Sequence, residues 1–203
     1  MDSNYPNPPP DAGAWITQFD RVLHTRQHVG PKHLGEPAPD EATLRELFAA
    51  AAAAPDHGRL RPWRFLVLGA EARERLGRAF ADALRERDPG ATPEQAAEAH
   101  EKAFRGPVLI LAIADLRADE PDVPPAERLV SLGAAIQNLL LAAAARGYAS
   151  GLSSGRAMAS RALRDAFELA EGEHAICFIS LGTALRDKPV RPRPAPDEFV
   201  RWI

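Results

Sequence analysis

Pro107-Val-Leu-Ile-Leu-Ala-Ile-Ala114 is eight residues long and carries no charge and no polar side chain. A half-solvated strand would alternate, so this run reads as a central strand packed on both faces. Working upstream, 70–87 and 93–104 read as polar-rich helices, the second opened by Thr92 as N-cap with Pro93 at its first position. Arg64-Phe-Leu-Val-Leu68, bounded by Pro62 and Gly69, is a second apolar strand. Before it a helix starts at Asp40 and carries Leu44, Leu47 and Phe48 into the alanine run 49–54, where Pro55 ends it. Gly30, Pro31, Gly35, Pro37 and Pro39 make 26–39 a loop. Asp11 is the expected N-cap of a helix to His24 with Ala14, Trp15, Val22 and Leu23 on one face, and 1–10, with four prolines, is expected to be a mobile arm.

Downstream, 115–125 is an acidic, proline-rich loop and 126–146 the longest helix, ended by Gly147. Its apolar content on nearly every face predicts burial at the centre of the molecule or in a subunit interface. Tyr148-Ala-Ser-Gly-Leu-Ser-Ser-Gly155 is a small-residue strand or strand edge, followed by a short helix over 160–167 and a last strand over 175–182. The stretch 186–196 is too proline-rich for regular structure; Phe199 and Trp202 follow it. No linker or repeat divides 11–203. Four strands separated by helices give one mixed α/β layered domain.

With 25 basic against 28 acidic residues the net charge is −3, so no basic excess is present to neutralise nucleic-acid phosphates. The N-terminal sequence lacks a basic and apolar leader and no run reaches the roughly 18 apolar residues of a membrane span, which places the chain in the cytoplasm with no membrane partner. Cys177 is the sole cysteine and sits in an apolar run, as a buried structural thiol does. No two of the six histidines form a His-x-x-x-His pair on a helix, since the expected helix ends at His24 and His28 lies in the loop after it, so no metal site is expected. Phosphate-binding glycine loops are absent as well.

Three segments can carry chemistry. Thr25-Arg-Gln-His-Val-Gly-Pro-Lys32 has basic and polar side chains able to hold an anion, and Ala54-Pro-Asp-His-Gly-Arg-Leu-Arg-Pro-Trp63 places a histidine, two arginines and an aromatic at a helix end. Ser150-Gly-Leu-Ser-Ser-Gly155 lets the backbone approach a flat ligand closely. Each alone is equally a solvated loop or a tight turn. Together, with no acid–base dyad, they suit a phosphorylated planar cofactor better than hydrolysis.

The order of these pieces resembles the nitroreductase family of FMN-dependent oxidoreductases. The resemblance rests on the Arg26-x-His28 loop, Glu36-Pro-Ala-Pro39, Ala54-Pro-Asp-His57 with Pro62-Trp63 and a strand, the segment ending Ser154-Gly155, and a strand ending Leu181-Gly-Thr183. Within the family it is nearest in pattern to the small single-domain NAD(P)H nitroreductases of the YdjA type, and it runs from about Trp15 to Trp202.

The resemblance implies an α+β, three-layer fold whose mostly antiparallel sheet is flanked by helices, in a homodimer with FMN at two sites between the subunits. It assigns Arg26 to the FMN phosphate, with His28 and Gln27 standing where the family more often has Ser and a second Arg or His. His57 is assigned to the flavin or its ribityl chain. Arg59 and Arg61 replace the Asn and Gln of more typical members near the flavin's polar edge. Leu152, Ser153 and Ser154 would lie against the ring, and Arg186, Lys188 or Arg191 would supply a second phosphate-binding cation, the first two preferred. Hydride would pass from NADH or NADPH through FMN to a small acceptor such as a nitroaromatic or a quinone, by a ping-pong scheme with no catalytic side chain. A reductase or dehydrogenase dedicated to one metabolite and a low-turnover flavin-binding module are the alternatives.

Overall fold

The structure is a computed structural model, and it describes residues 12–117 and 122–203; the expected N-terminal arm lies outside them. In chain order the elements are α1 (Ala12–Thr25), β1 (Leu34–Gly35), α2 (Glu41–Ala52), β2 (Trp63–Val67), α3 (Ala70–Arg87), α4 (Pro93–Glu101), β3 (Val108–Asp115), α5 (Pro125–Ala145), β4 (Ala149–Ser153), α6 (Arg161–Ala166) and β5 (Glu173–Ala184).

The apolar run around Ile110 is the central strand, with the side chains of Ile110 through Ala114 fully buried. β3 pairs with β2 on one side and β5 on the other, and β5 also holds β4 and, at its far end, β1. Every one of these ladders is antiparallel, as the α+β reading expects. The alternation of helices and strands had suggested a mixed α/β arrangement, and that expectation is corrected here. Burial on both faces specifies a covering layer on each side but not strand direction.

The covering layers are distinct. Leu44, Leu47 and Ala51 of α2 and Leu132, Ile136 and Leu139 of α5 pack on the face bearing Ile110 and Ile179. Leu76 and Ala79 of α3 and Leu163 of α6 cover the opposite face at Leu111 and Phe178. The helices form where expected for identifiable reasons. Asp40 accepts a hydrogen bond from Thr43 N at 2.8 Å, and Thr92 and Gln95 close a reciprocal capping box at the start of α4. Gly77 lets α4 approach α3, because a Cβ there would meet the His100 ring at 2.6 Å.

Some features escape the sequence patterns. The 26–39 loop contains β1, whose two residues pair with Thr183 and Ala184, and β5 runs longer than 175–182 at both ends. On α1, Trp15 is 66% exposed while Val22 and Leu23 are half-buried, so its apolar stripe is covered only near the C-terminal end. Cys177 is buried as read, and burial pushes its thiol up to about 11, away from the reactive thiolate. α5 has the length and hydropathy of a membrane span, but its central residues Leu132, Ala135, Leu139 and Ala143 form part of the core.

Candidate functional site

After α1 ends at Thr25 the chain crosses the free edge of β4. Val29 N donates to Ser150 O at 2.8 Å, and His28 forms a parallel bridge with Ser150. The crossing is close because Gly151 lies beneath it: a Cβ at Gly151 would stand 2.1 Å from Val29 O and 3.0 Å from the His28 ring. This is the close approach for which a glycine in a strand is suited. Past the crossing, Leu185 N donates to His33 O at 3.0 Å and Thr183 Oγ1 to Pro37 O at 2.6 Å, which laces the loop to the end of β5.

The chain after β5 returns to the same crossing. Lys188 Nζ donates to His28 O, and Arg193 Nη2 donates to Arg26 O at 2.9 Å. Three cations, Arg26, Lys188 and Arg193, therefore meet at one short backbone segment, and none of them pairs with a carboxylate among the described residues. Burial and then the charge of Arg193 pull the Arg26 guanidinium below its ordinary value. Burial, Lys188 and Arg26 together lower His28, so its imidazole is neutral at neutral pH. Gln27 Nε2 is buried without a hydrogen-bond partner among the described residues. Accumulated positive charge and an orphaned amide donor are what a phosphate dianion would satisfy.

Of the expected residues, the structure brings Arg26, Gln27, His28 and Lys188 together beside β4. Arg186 is exposed and makes no hydrogen bond or ion pair among the described residues, and Arg191 likewise makes none. Arg193 had not been expected. Its signal was present in the sequence as a third cation in the Arg191-Pro-Arg193-Pro stretch, hidden by the prolines around it.

Leu152, Ser153 and Ser154 lie at the end of β4, where side chains alternate between the two faces of the sheet. Leu152 pairs with Ile179 on the α5 face and is 38% exposed, whereas Ser153 pairs with Phe178 on the α3 face.

His57 and Arg61 stand elsewhere, on a loop docked to the start of α5. His57 Nδ1 lies 2.7 Å from Glu127 Oε2, Trp63 Nε1 donates to Ser131 Oγ at 3.1 Å, and Asp56 Oδ2 accepts from Arg61 N at 2.7 Å. Arg59 and Arg61 have φ of 54° and 46°, a left-handed conformation that side chains other than glycine adopt at a cost of about 1–3 kcal/mol each. No hydrogen bond or ion pair among the described residues joins this loop to the Arg26 group.

Comparison with known proteins agrees with this architecture. A profile of the nitroreductase family matches residues 32–183. A Haemophilus influenzae protein named "Putative NAD(P)H nitroreductase" is 35% identical over 164 residues, 81% of this chain and 87% of its own. The Escherichia coli K12 protein "Putative NAD(P)H nitroreductase YdjA" is 32% identical over 84% of this chain and 92% of its own. Among solved structures, a nitroreductase-like family protein from Bacillus cereus superposes with a TM-score of 0.76 at 20% identity, covering 91% of this chain and 95% of that one. The FMN-dependent nitroreductase NfnB from Mycobacterium smegmatis, in complex with NADPH, gives 0.71 at 19% identity over 93% and 99%. The family profile covers β1 through most of β5, and the chain is a member of the nitroreductase family.

Proposed function

We propose that the chain is a cytoplasmic FMN-dependent oxidoreductase that takes hydride from NADH or NADPH and delivers electrons to a small acceptor such as a nitroaromatic or a quinone, its residues 11–203 acting as one FMN-binding domain. The observation that carries this reading is the convergence of Arg26, Lys188 and Arg193 on the Arg26–His28 backbone with no carboxylate among the described residues to neutralise them. The names of the relatives support the same chemistry: two are NAD(P)H nitroreductases by name, and the M. smegmatis neighbour is FMN-dependent and was captured with NADPH.

When bound, FMN supplies hydride acceptance and electron transfer, so the protein's part is to bind, orient and shield. Arg26, Lys188 and Arg193 neutralise the phosphate, and the Gln27 amide donates to it. The backbone at Leu152, Ser153 and Ser154 would hold the ring, and His57 and Arg61 would hold its polar groups. No side chain is assigned a proton-transfer role. Nicotinamide and acceptor use the same place in turn, which gives a ping-pong scheme.

The site is completed in a homodimer. Two features support this: among the described residues the His57 loop has no bond to the Arg26 group, and large apolar side chains stay exposed at Trp15, Ile16 and Phe19 of α1 and at Leu129 and Val130 of α5, with Val130 72% exposed. Large apolar side chains left exposed together on a helix mark association surfaces. Steady-state oxidation of NAD(P)H at several acceptor concentrations tests the whole reading. Parallel double-reciprocal lines from a yellow, dimeric protein are expected. A colourless protein that takes up no FMN, or intersecting lines, would contradict it.

A further inference from the structure

The loop from Asp56 to Trp63 is held on α5 at two points one helical turn apart. His57 Nδ1 meets Glu127 Oε2 at 2.7 Å, and Trp63 Nε1 donates to Ser131 Oγ at 3.1 Å. Residues four apart share a helix face, so Glu127 and Ser131 together form the ridge that receives the loop. Asp56 closes the loop from within by accepting from Arg61 N. The left-handed backbone of Arg59 and Arg61 persists only where the surroundings over-determine it, and these three contacts supply that constraint.

The Glu127 contact also sets the chemistry of the His57 ring. A carboxylate only accepts, so this contact requires the hydrogen of a neutral imidazole to sit on Nδ1. Nε2 then carries a lone pair, and among the described residues it has no hydrogen-bond partner. Both side chains are exposed, and an exposed pair adds little to the stability of the fold. Its effect falls on the direction and the tautomer of the ring.

The cations assigned to the cofactor, Arg26, Arg61, Lys188 and Arg193, can only donate. A flavin carries donors of its own, the ring imide N–H and the ribityl hydroxyls, and these need acceptors. We propose that Glu127 is a positioning residue for His57, fixing the ring with its hydrogen on Nδ1 so that Nε2 accepts from an N–H or O–H of the flavin. The proposal rests on the flavin reading above and adds to it a residue that acts on the cofactor only through His57.

Nitrogen NMR spectra of the full-length, FMN-free chain at mildly alkaline pH read the tautomer directly, with the His57 signals identified by their loss in His57→Ala. The Nδ1–H form is expected in the wild-type chain, and Glu127→Ala should move the ring toward the Nε2–H form that a free imidazole prefers. A side chain that merely braced the loop would not select the tautomer. Calorimetric titration with FMN is the second readout. Glu127→Ala should weaken FMN about three- to tenfold, as loss of one hydrogen bond implies, and the same exchange in a His57→Ala background should change nothing further. Wild-type His57 in the Nε2–H form overturns the proposal, and needs no variant to do so. So does an FMN affinity that Glu127→Ala leaves unchanged or weakens equally with and without His57; in each of these cases FMN still binds the wild-type chain and the flavin reading stands. A wild-type chain that binds no FMN overturns the flavin reading and this proposal with it.

Discussion

Arg73 and Arg26 are both removed in part from water, yet the protein treats them in opposite ways. Arg73, on α3, is 8% exposed and spends its guanidinium on the carbonyls of Leu68, Ala103, Gly106 and Pro107, at 2.8–3.3 Å. Those four oxygens end β2 and lead into β3, so the side chain clamps the two strands at the same edge. Arg26 meets Lys188 and Arg193 and, among the described residues, no anion. A cation whose donors are all used by the chain holds the fold together. A cation left among other cations costs the free protein energy, and a bound anion would recover it. The difference sets an arginine committed to the fold apart from one whose charge is left for the phosphate proposed above.

The largest expected effect breaks the structural side of this comparison. Arg73→Ala leaves four carbonyls without their donor, and urea denaturation should show a loss of about 3–5 kcal/mol with no selective effect on cofactor binding. Arg26→Ala acts in the opposite sense. It should leave thermal stability of the FMN-free chain unchanged or higher and weaken FMN by about 1.5–3 kcal/mol, the range for a hydrogen bond to a charged group.

Arg64 and Glu173 supply an intermediate case, a bidentate pair at 2.6 and 2.8 Å that joins the start of β2 to the start of β5. The Arg64 hydrogen bonds hold the Glu173 carboxyl below its ordinary value. A carboxylate so depressed contributes stability that is full above its unfolded value and lost as pH falls through the folded one. Glu173→Gln should therefore cost about 1–2 kcal/mol at neutral pH, reduced by the solvent around Arg64, and should flatten the acid limb of the stability curve.

The smallest effect concerns His28. Its value is lowered by burial and by Lys188 and Arg26, so the neutral ring favours the folded chain. That contribution is present above its ordinary value near 6.5 and is lost on acidification. The melting temperature of the FMN-free chain should fall on acidification below that value, less so in His28→Gln, and saturating FMN should shrink the difference between the two by lending His28 a negative neighbour.

The sequence disclosed the layered fold through particular residues. The apolar run around Ile110 announced the central strand, and Asp40, Thr92 and Pro93 announced their helix starts. β1 was not legible, because two paired residues have no periodicity and are held by the end of β5 rather than by their own propensity. Strand direction was illegible for a different reason: helices cover both faces, so the apolar pattern is the same whichever way neighbours run. Arg73 resembles any surface arginine of a polar helix until its spacing is compared with Leu76, Gly77 and Phe80, which share its face. In the site, Arg26 and Lys188 were readable as cations flanking the core, but Arg193 was masked by prolines. The docking of His57 on Glu127 depends on where α5 begins in space, which no local pattern encodes.

We propose the crossing of β4 as the phosphate site. Calorimetric comparison of FMN with riboflavin on the wild-type chain and on Arg26→Ala tests it most directly, since the two ligands differ only in the terminal phosphate. FMN is expected to bind the wild-type chain at least about a hundredfold more tightly than riboflavin, as loss of charged hydrogen bonds from more than one cation implies, and Arg26→Ala should narrow that gap while leaving riboflavin unchanged. Equal affinity for the two ligands, or a gap that Arg26→Ala does not narrow, would contradict it.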